Sequence, residues 1–168
     1  MAVEYLKSTA VSNADGTPVV FNNGRVVRMP LWEFVGTKTV SASASIGSTY
    51  RLGRVPSNAR ISEISLSCSA FDTTGAADIG VYQTAYNGGT VVDADFFGSA
   101  VVLTTALTNS NVTHESGVFG ISDVEKPLWE ALGLSADPMR DYDIALTLTA
   151  ANGAGATPVI SMRTRFGI

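Results

Sequence analysis

The stretch "IGVYQTAYNGGTVVDADFFGSAVVL", Ile79 to Leu103, decides how the chain is read. It holds an apolar run, a glycine pair at Gly88 and Gly89, and two acids, Asp93 and Asp95, either side of one alanine. Two acids behind a flexible turn are raw material for a metal loop. The residues that follow speak against one. A helix–loop–helix calcium site needs a third acid, a central glycine and a terminal glutamate. Phe96 and Phe97 stand there instead. The favoured reading is structural. Ile79–Ala85 is a strand and "YNGGT" a turn. Asp93 then caps a single helical turn over 93–97 by accepting a backbone N–H, and one of the two phenylalanines plugs a core.

Working outward, period-two alternation dominates. In "WEFVGTKTVSASASI", Trp32, Phe34, Val40, Ala42, Ala44 and Ile46 share one face, with Lys38 as the break. The pattern predicts one strand running through the serine-alanine segment. In "ISEISLSCSAF", Ile64, Leu66, Cys68 and Ala70 alternate with Glu63 and serines. In "DIALTLTA", Ile144, Leu146 and Leu148 alternate with Ala145, Thr147 and Thr149. Such alternation marks half-buried antiparallel strands. "VPSN" at Val55–Asn58 separates two strands, and "ANGAGATP" reads as the loop of a closing hairpin. "FNNGRV", Phe21–Val26, carries the Asn-Gly signal of a small hairpin.

Helix is scarce. One short helix is expected near residues 126–133, with Pro127 in its first turn, Leu128, Trp129 and Leu132 as its apolar face and Gly133 as its stop. The expected class is therefore all-β: an antiparallel, jelly-roll-like β-sandwich over 31–168, preceded by an N-terminal arm over 1–30.

Composition narrows function. The chain has 168 residues, 45% hydrophobic and 15% charged, with a net charge of −4. Average soluble domains carry roughly 25% charged residues. A small-polar, charge-poor surface suits a protein packed against neighbours. No basic stripe is present to displace counterions from nucleic acid. Arg51, Arg54 and Arg60 come nearest, and they read as surface or interface charges. The single cysteine, Cys68, reads as a buried thiol and excludes a Cys-based zinc site. The N-terminus "MAVEYLKSTA" has no apolar core segment of a signal peptide, and no apolar run has the length of a membrane span. No cofactor, metal, nucleic acid or membrane partner is expected.

Catalytic readings have little to rest on. His114 is the sole histidine and sits in the polar run "NVTHES". A hydrolase would need it, yet the chain has no G-x-S-x-G elbow. No carboxylate pair stands out for glycoside hydrolysis. Hence no catalytic residue is assigned.

Three blocks carry a likeness. They are "STYRLGRVPSNARISEISLS" (Ser48–Ser67), "DIGVYQT" with "NGGTVVDADFFGSA" from the opening stretch, and "KPLWEALGLSADPMRDYDIALTLTAANGAGA" (Lys126–Ala156). Taken in order, the chain from Ser48 to Phe166 resembles tailed-bacteriophage virion proteins of the capsid decoration or cement type. The resemblance implies a non-enzymatic protein on the outside of the virion, with the major capsid protein and copies of itself, as dimer or trimer, for partners. A head-fibre or tail module that binds a host glycan is the alternative. The arm lies outside the likeness. Its apolar positions Val19, Val20, Phe21, Val26 and Val27, with Trp32 and Phe34 at the junction, are the candidate contacts to capsid or neighbouring subunits. Trp32 and Phe34 have a second reading, as filling of the sandwich core.

Overall fold

A computed structural model describes residues 7–21, 30–72 and 74–168. Eight strands follow one another: β1 (Leu31–Thr39), β2 (Thr49–Pro56), β3 (Arg60–Cys68), β4 (Ala76–Gln83), β5 (Val91–Val102), β6 (Leu107–Asn111), β7 (Asp141–Ala150) and β8 (Val159–Gly167). They form two four-stranded antiparallel sheets, ordered β1-β8-β3-β6 and β2-β7-β4-β5. Consecutive strands mostly cross between the sheets, which is the double Greek key of a jelly roll. The expected all-β sandwich is therefore the fold observed. No helix among the described residues is long and apolar enough to cross a membrane.

Alternation builds the core as anticipated. Ile64 and Leu66 from β3, Ile79 and Val81 from β4, and Ile144 and Leu146 from β7 are all fully buried between the sheets. Cys68 is buried with them, and burial pushes its thiol up from the ordinary value. The short helix forms as α2 (Leu128–Ala131), capped by Pro127, with Leu128 fully buried and Gly133 in the left-handed region at φ 74°.

Four expectations are corrected. The strand through the serine-alanine segment stops at Thr39. Val40 and Ala44 stay buried, but as part of a loop that turns the chain into the second sheet. "ANGAGATP" closes no hairpin, because β7 and β8 belong to different sheets. The β4–β5 turn is the only connection between hydrogen-bonded consecutive strands among the described residues. Asp93 caps no helix. The segment 91–102 is strand throughout, and the carboxylate of Asp93 accepts the N–H of Asp95 at 3.3 Å within a bulge.

That bulge is large. Ile79 pairs with Gly98, yet Val81 pairs with Asp93, so two steps along β4 face five along β5. The surplus residues swing Phe96 and Phe97 into the core, against Phe119 from the β6–β7 connection. Ring centroids lie 4.9 to 5.7 Å apart, in tilted and edge-on geometry that favours the ring quadrupoles. The plug expected from the sequence is present, delivered by a bulged strand.

The fourth correction concerns the arm. Residues 9–14 form a helix, α1 (Thr9–Ala14), in an arm for which only a small hairpin was expected. Ser8 caps it, and Val20 donates its N–H to the Asn13 carbonyl at 3.0 Å, folding 19–21 back beside the helix. Most of the expected hairpin, with Val26 and Val27, lies outside the described residues.

Candidate functional site

The arginines read as surface charges have a structural task. Asp143 sits on β7 with its side chain almost wholly buried. Arg51 donates to it at 2.8 Å and Arg54 at 2.7 Å, both from the neighbouring strand β2. Arg51 also reaches the carbonyls of Gln83 and Gly89 and lies 5.5 Å over the Tyr82 ring. One guanidinium thus ties β2, β7, β4 and the β4–β5 turn together. Burial alone would raise the Asp143 carboxyl. The hydrogen bonds from Arg54 and Arg51 outweigh it and hold the group below its ordinary value. Arg60 is likewise engaged, donating to the Glu125 carbonyl at 2.8 Å.

The depressed value gives a testable sign. A carboxyl with a lower pKa folded than unfolded contributes stability above its unfolded value of about 3.9, and that contribution disappears as pH falls through the folded value. Asp143→Asn is expected to lower stability at pH 7 by about 2 kcal/mol, less than for a fully buried pair because the arginines can turn to water. It should also flatten the loss of stability between about pH 5 and 2. Urea titrations across that range check both.

The expected chemical sites gather no machinery. His114 places Nδ1 2.8 Å from the Phe119 carbonyl and stacks on the Phe119 ring. It packs the loop that covers the aromatic plug. Burial, then the hydrogen bond with the neighbouring Asp95 carboxyl, raise Asp93 above its ordinary value. Among the described residues no group of three or more His, Cys, Asp or Glu is placed to hold a metal.

Unpartnered apolar surface gathers at one end of the sandwich instead. Strand register defines that end: Leu31, Arg60 and Gly167 align in one sheet, and Pro56, Asp141 and Gln83 in the other. The arm joins the sandwich here, at the start of β1. Tyr86 at the β4–β5 turn is 98% exposed, and with Met139 it flanks a groove that includes Arg54, Asn87 and Asp141. Leu31 and Trp32 are exposed at the same end. Exposed apolar patches of this kind mark interaction surfaces.

Trp32 and Phe34 do not fill the core. They remain 57% and 42% exposed, although their β8 partners Phe166 and Thr164 are buried. The reason is a parting of the sheets. Gly36 of β1 lies so close to Leu52 of β2 that a Cβ there would overlap the Leu52 backbone. Beside that contact an open cleft lies between the two edge strands, lined by Phe34, Leu52, Gly53 and Ala85 and by the Arg51, Arg54 and Asp143 ion-pair cluster. In the arm, Val19, Val20 and Phe21 are all exposed, Phe21 at 94%. The outer face of β1 is different. There Arg165 of β8 bonds both Glu33 and Glu63 at 2.8 Å, a polar ladder across three strands. Sequence reasoning missed Tyr86 and Met139, because a lone aromatic or methionine in a turn carries no pattern.

Comparison with known proteins agrees with the architecture. No family model and no curated protein sequence matches the chain. Solved structures do. A chain of the cyanophage Pam1 capsid asymmetric unit aligns with a TM-score of 0.53 at 10% identity, over 89% of this chain and 92% of that one. A chain of the capsid of Ralstonia phage GP4 aligns with a TM-score of 0.57 at 16% identity, over 93% and 94%. This protein shares its fold, over most of its length, with chains of phage capsid structures.

Proposed function

We propose that the chain is a non-enzymatic structural protein of a phage virion that attaches to the outside of the capsid and bridges subunits of the major capsid protein. The observation that carries this reading is the crowding of exposed apolar side chains at the arm-bearing end of a fold shared with phage capsid chains. That end faces the shell, and the arm is a separate segment from the sandwich. Tyr86, Met139 and the arm supply the apolar contacts, while the polar ladder on the outer face of β1, β8 and β3 stays in water. A protein that binds the assembled shell and not free subunits stabilises the shell by mass action.

Truncation tests this. All eight strands of the described residues lie in 31–168, so a chain lacking residues 1–30 should keep its far-UV signature and cooperative unfolding. It is expected to lose co-sedimentation with purified shells at least tenfold, while the full chain pellets with them. Undiminished pelleting of the truncated chain would remove the arm from the attachment. A full chain that never pellets would remove the shell-binding reading itself.

A further inference from the structure

The arm and the β1–β2 cleft each lack what the other offers. Helix α1 has six residues and buries none of them. An isolated helix shorter than about 12 residues is marginal in water, so the arm needs a surface to pack on. Its apolar edge, Val19 to Phe21, points to solvent. The cleft presents exposed Phe34 and Ala85 over the buried Leu52, with exposed Trp32 on the same face of β1, and no described residue covers the two aromatic side chains. Below it the buried hydroxyl of Thr164 has no hydrogen-bond partner among the described residues. Residues 22–30 separate the two features in sequence. Fully extended, nine residues reach about 30 Å, enough to leave one sandwich and arrive at another.

We infer that the arms exchange between copies: the Val19–Phe21 segment of one chain seats in the β1–β2 cleft of a second copy, with Phe21 against Phe34 and Trp32. The area agrees. With aromatic side chains burying about 150–250 Å2 each, Phe21, Trp32, Phe34 and the two valines expose on the order of 500 Å2 per copy. Two reciprocal exchanges then cover about 1,000 Å2, the least that a specific interface is expected to bury. Exchange that closes into a symmetric oligomer leaves no cleft open. The inference deepens the reading above by dividing the candidate contacts. Val19, Val20, Phe21, Trp32 and Phe34 serve a neighbouring copy, and Val26, Val27, Tyr86 and Met139 are left for the shell.

The test uses the full chain without shells, so the two readings fail separately. Sedimentation of the wild-type chain at micromolar concentration is expected to give a multiple of 17.5 kDa. A tagged chain carrying Phe21→Cys, refolded with an untagged chain carrying Phe34→Cys, is expected to form a disulfide-linked pair of unequal chains on mild oxidation. Buried Cys68, its thiol pushed up by burial, does not compete. Phe21→Ser alters only an exposed arm side chain, so folding is retained, and it should weaken association at least tenfold. A wild-type chain that sediments as a monomer overturns the inference. So does a double Phe21→Cys, Phe34→Cys chain that closes only on itself, which would place each arm in its own cleft. An association unchanged by Phe21→Ser overturns it as well.

Discussion

Gly80→Ala is expected to lower the stability of the fold by at least about 3 kcal/mol. Gly80 lies on β4 opposite the bulge of β5, and a Cβ there would overlap the carbonyl of Asp93 and the backbone of Ala94. Backbone cannot turn aside as a side chain can. The bulge must lift off β4, and lifting it withdraws Phe96 and Phe97 from the core they fill. Overpacking costs about 1–3 kcal/mol where side chains can adjust. Here the obstacle is main chain of the bulged edge strand β5, lying against a β4 that is bonded on both sides, so at least about 3 kcal/mol is expected, or roughly 6–12 °C in melting temperature for a domain of this size. Thermal unfolding followed by circular dichroism measures it. A variant melting within about 2 °C of the parent would mean that the bulge does not press on Gly80.

Phe97→Ala is expected to cost about 3–5 kcal/mol, the range for truncating a buried phenylalanine. The ring is fully buried, edge-on to Phe96 at 4.9 Å and to Phe119 at 5.2 Å. Its removal leaves a hole bounded by a strand and by the loop that His114 and Ser116 tie down, with Ser116 Oγ donating to the Phe96 carbonyl at 2.9 Å. Such tethered walls collapse poorly, which places the cost in the upper part of the range. Phe97→Leu keeps most of the volume and should cost about 1.5 kcal/mol or less. Urea unfolding of both variants separates the two outcomes. Equal losses would mean that the ring geometry matters more than the filled volume.

Both variants act on the stretch from Ile79 to Leu103, and that stretch shows where sequence reading succeeds and fails. Alternation in β3 and β7 was legible because large apolar side chains face the core while small or polar ones take the outer face. The aromatic plug was legible from Phe96-Phe97 alone. The bulge that delivers it was not, because an Asp two residues before a donating N–H looks the same in a helix cap and in a bulged strand. Val40 and Ala44 kept the phase of β1 after the strand had ended, since the loop that leaves β1 also buries apolar side chains over the open end of the core. Ser43 there takes φ 61°, in the left-handed region, where the chain turns away from β1. "ANGAGATP" announced a reversal of the chain and not the sheet it would enter. Buried Asn152 bonds the carbonyls of Ser41 and Ala156, joining the β7–β8 connection to the β1–β2 loop, a contact across 111 residues that no local signal encodes.

The candidate surface divides in the same way. Asp143 occupies an outward position in an alternating strand, so it reads as solvated, yet two arginines from β2 bury it. Trp32 and Phe34 alternate as core residues do. Their exposure comes from the parting of β1 and β2 beyond the Gly36–Leu52 contact, a property of two sheets rather than of one strand. A six-residue helix such as α1 falls below the window in which periodicity is readable.

The most direct test of the proposal is a density map of a whole virus particle assembled with this chain. A jelly roll on the outer surface of the shell is expected, with its arm-bearing end, Tyr86 and Met139 included, against two or more copies of the major capsid protein. Density for the chain in the tail alone, on the inner surface of the shell, or nowhere in the particle would overturn the proposal.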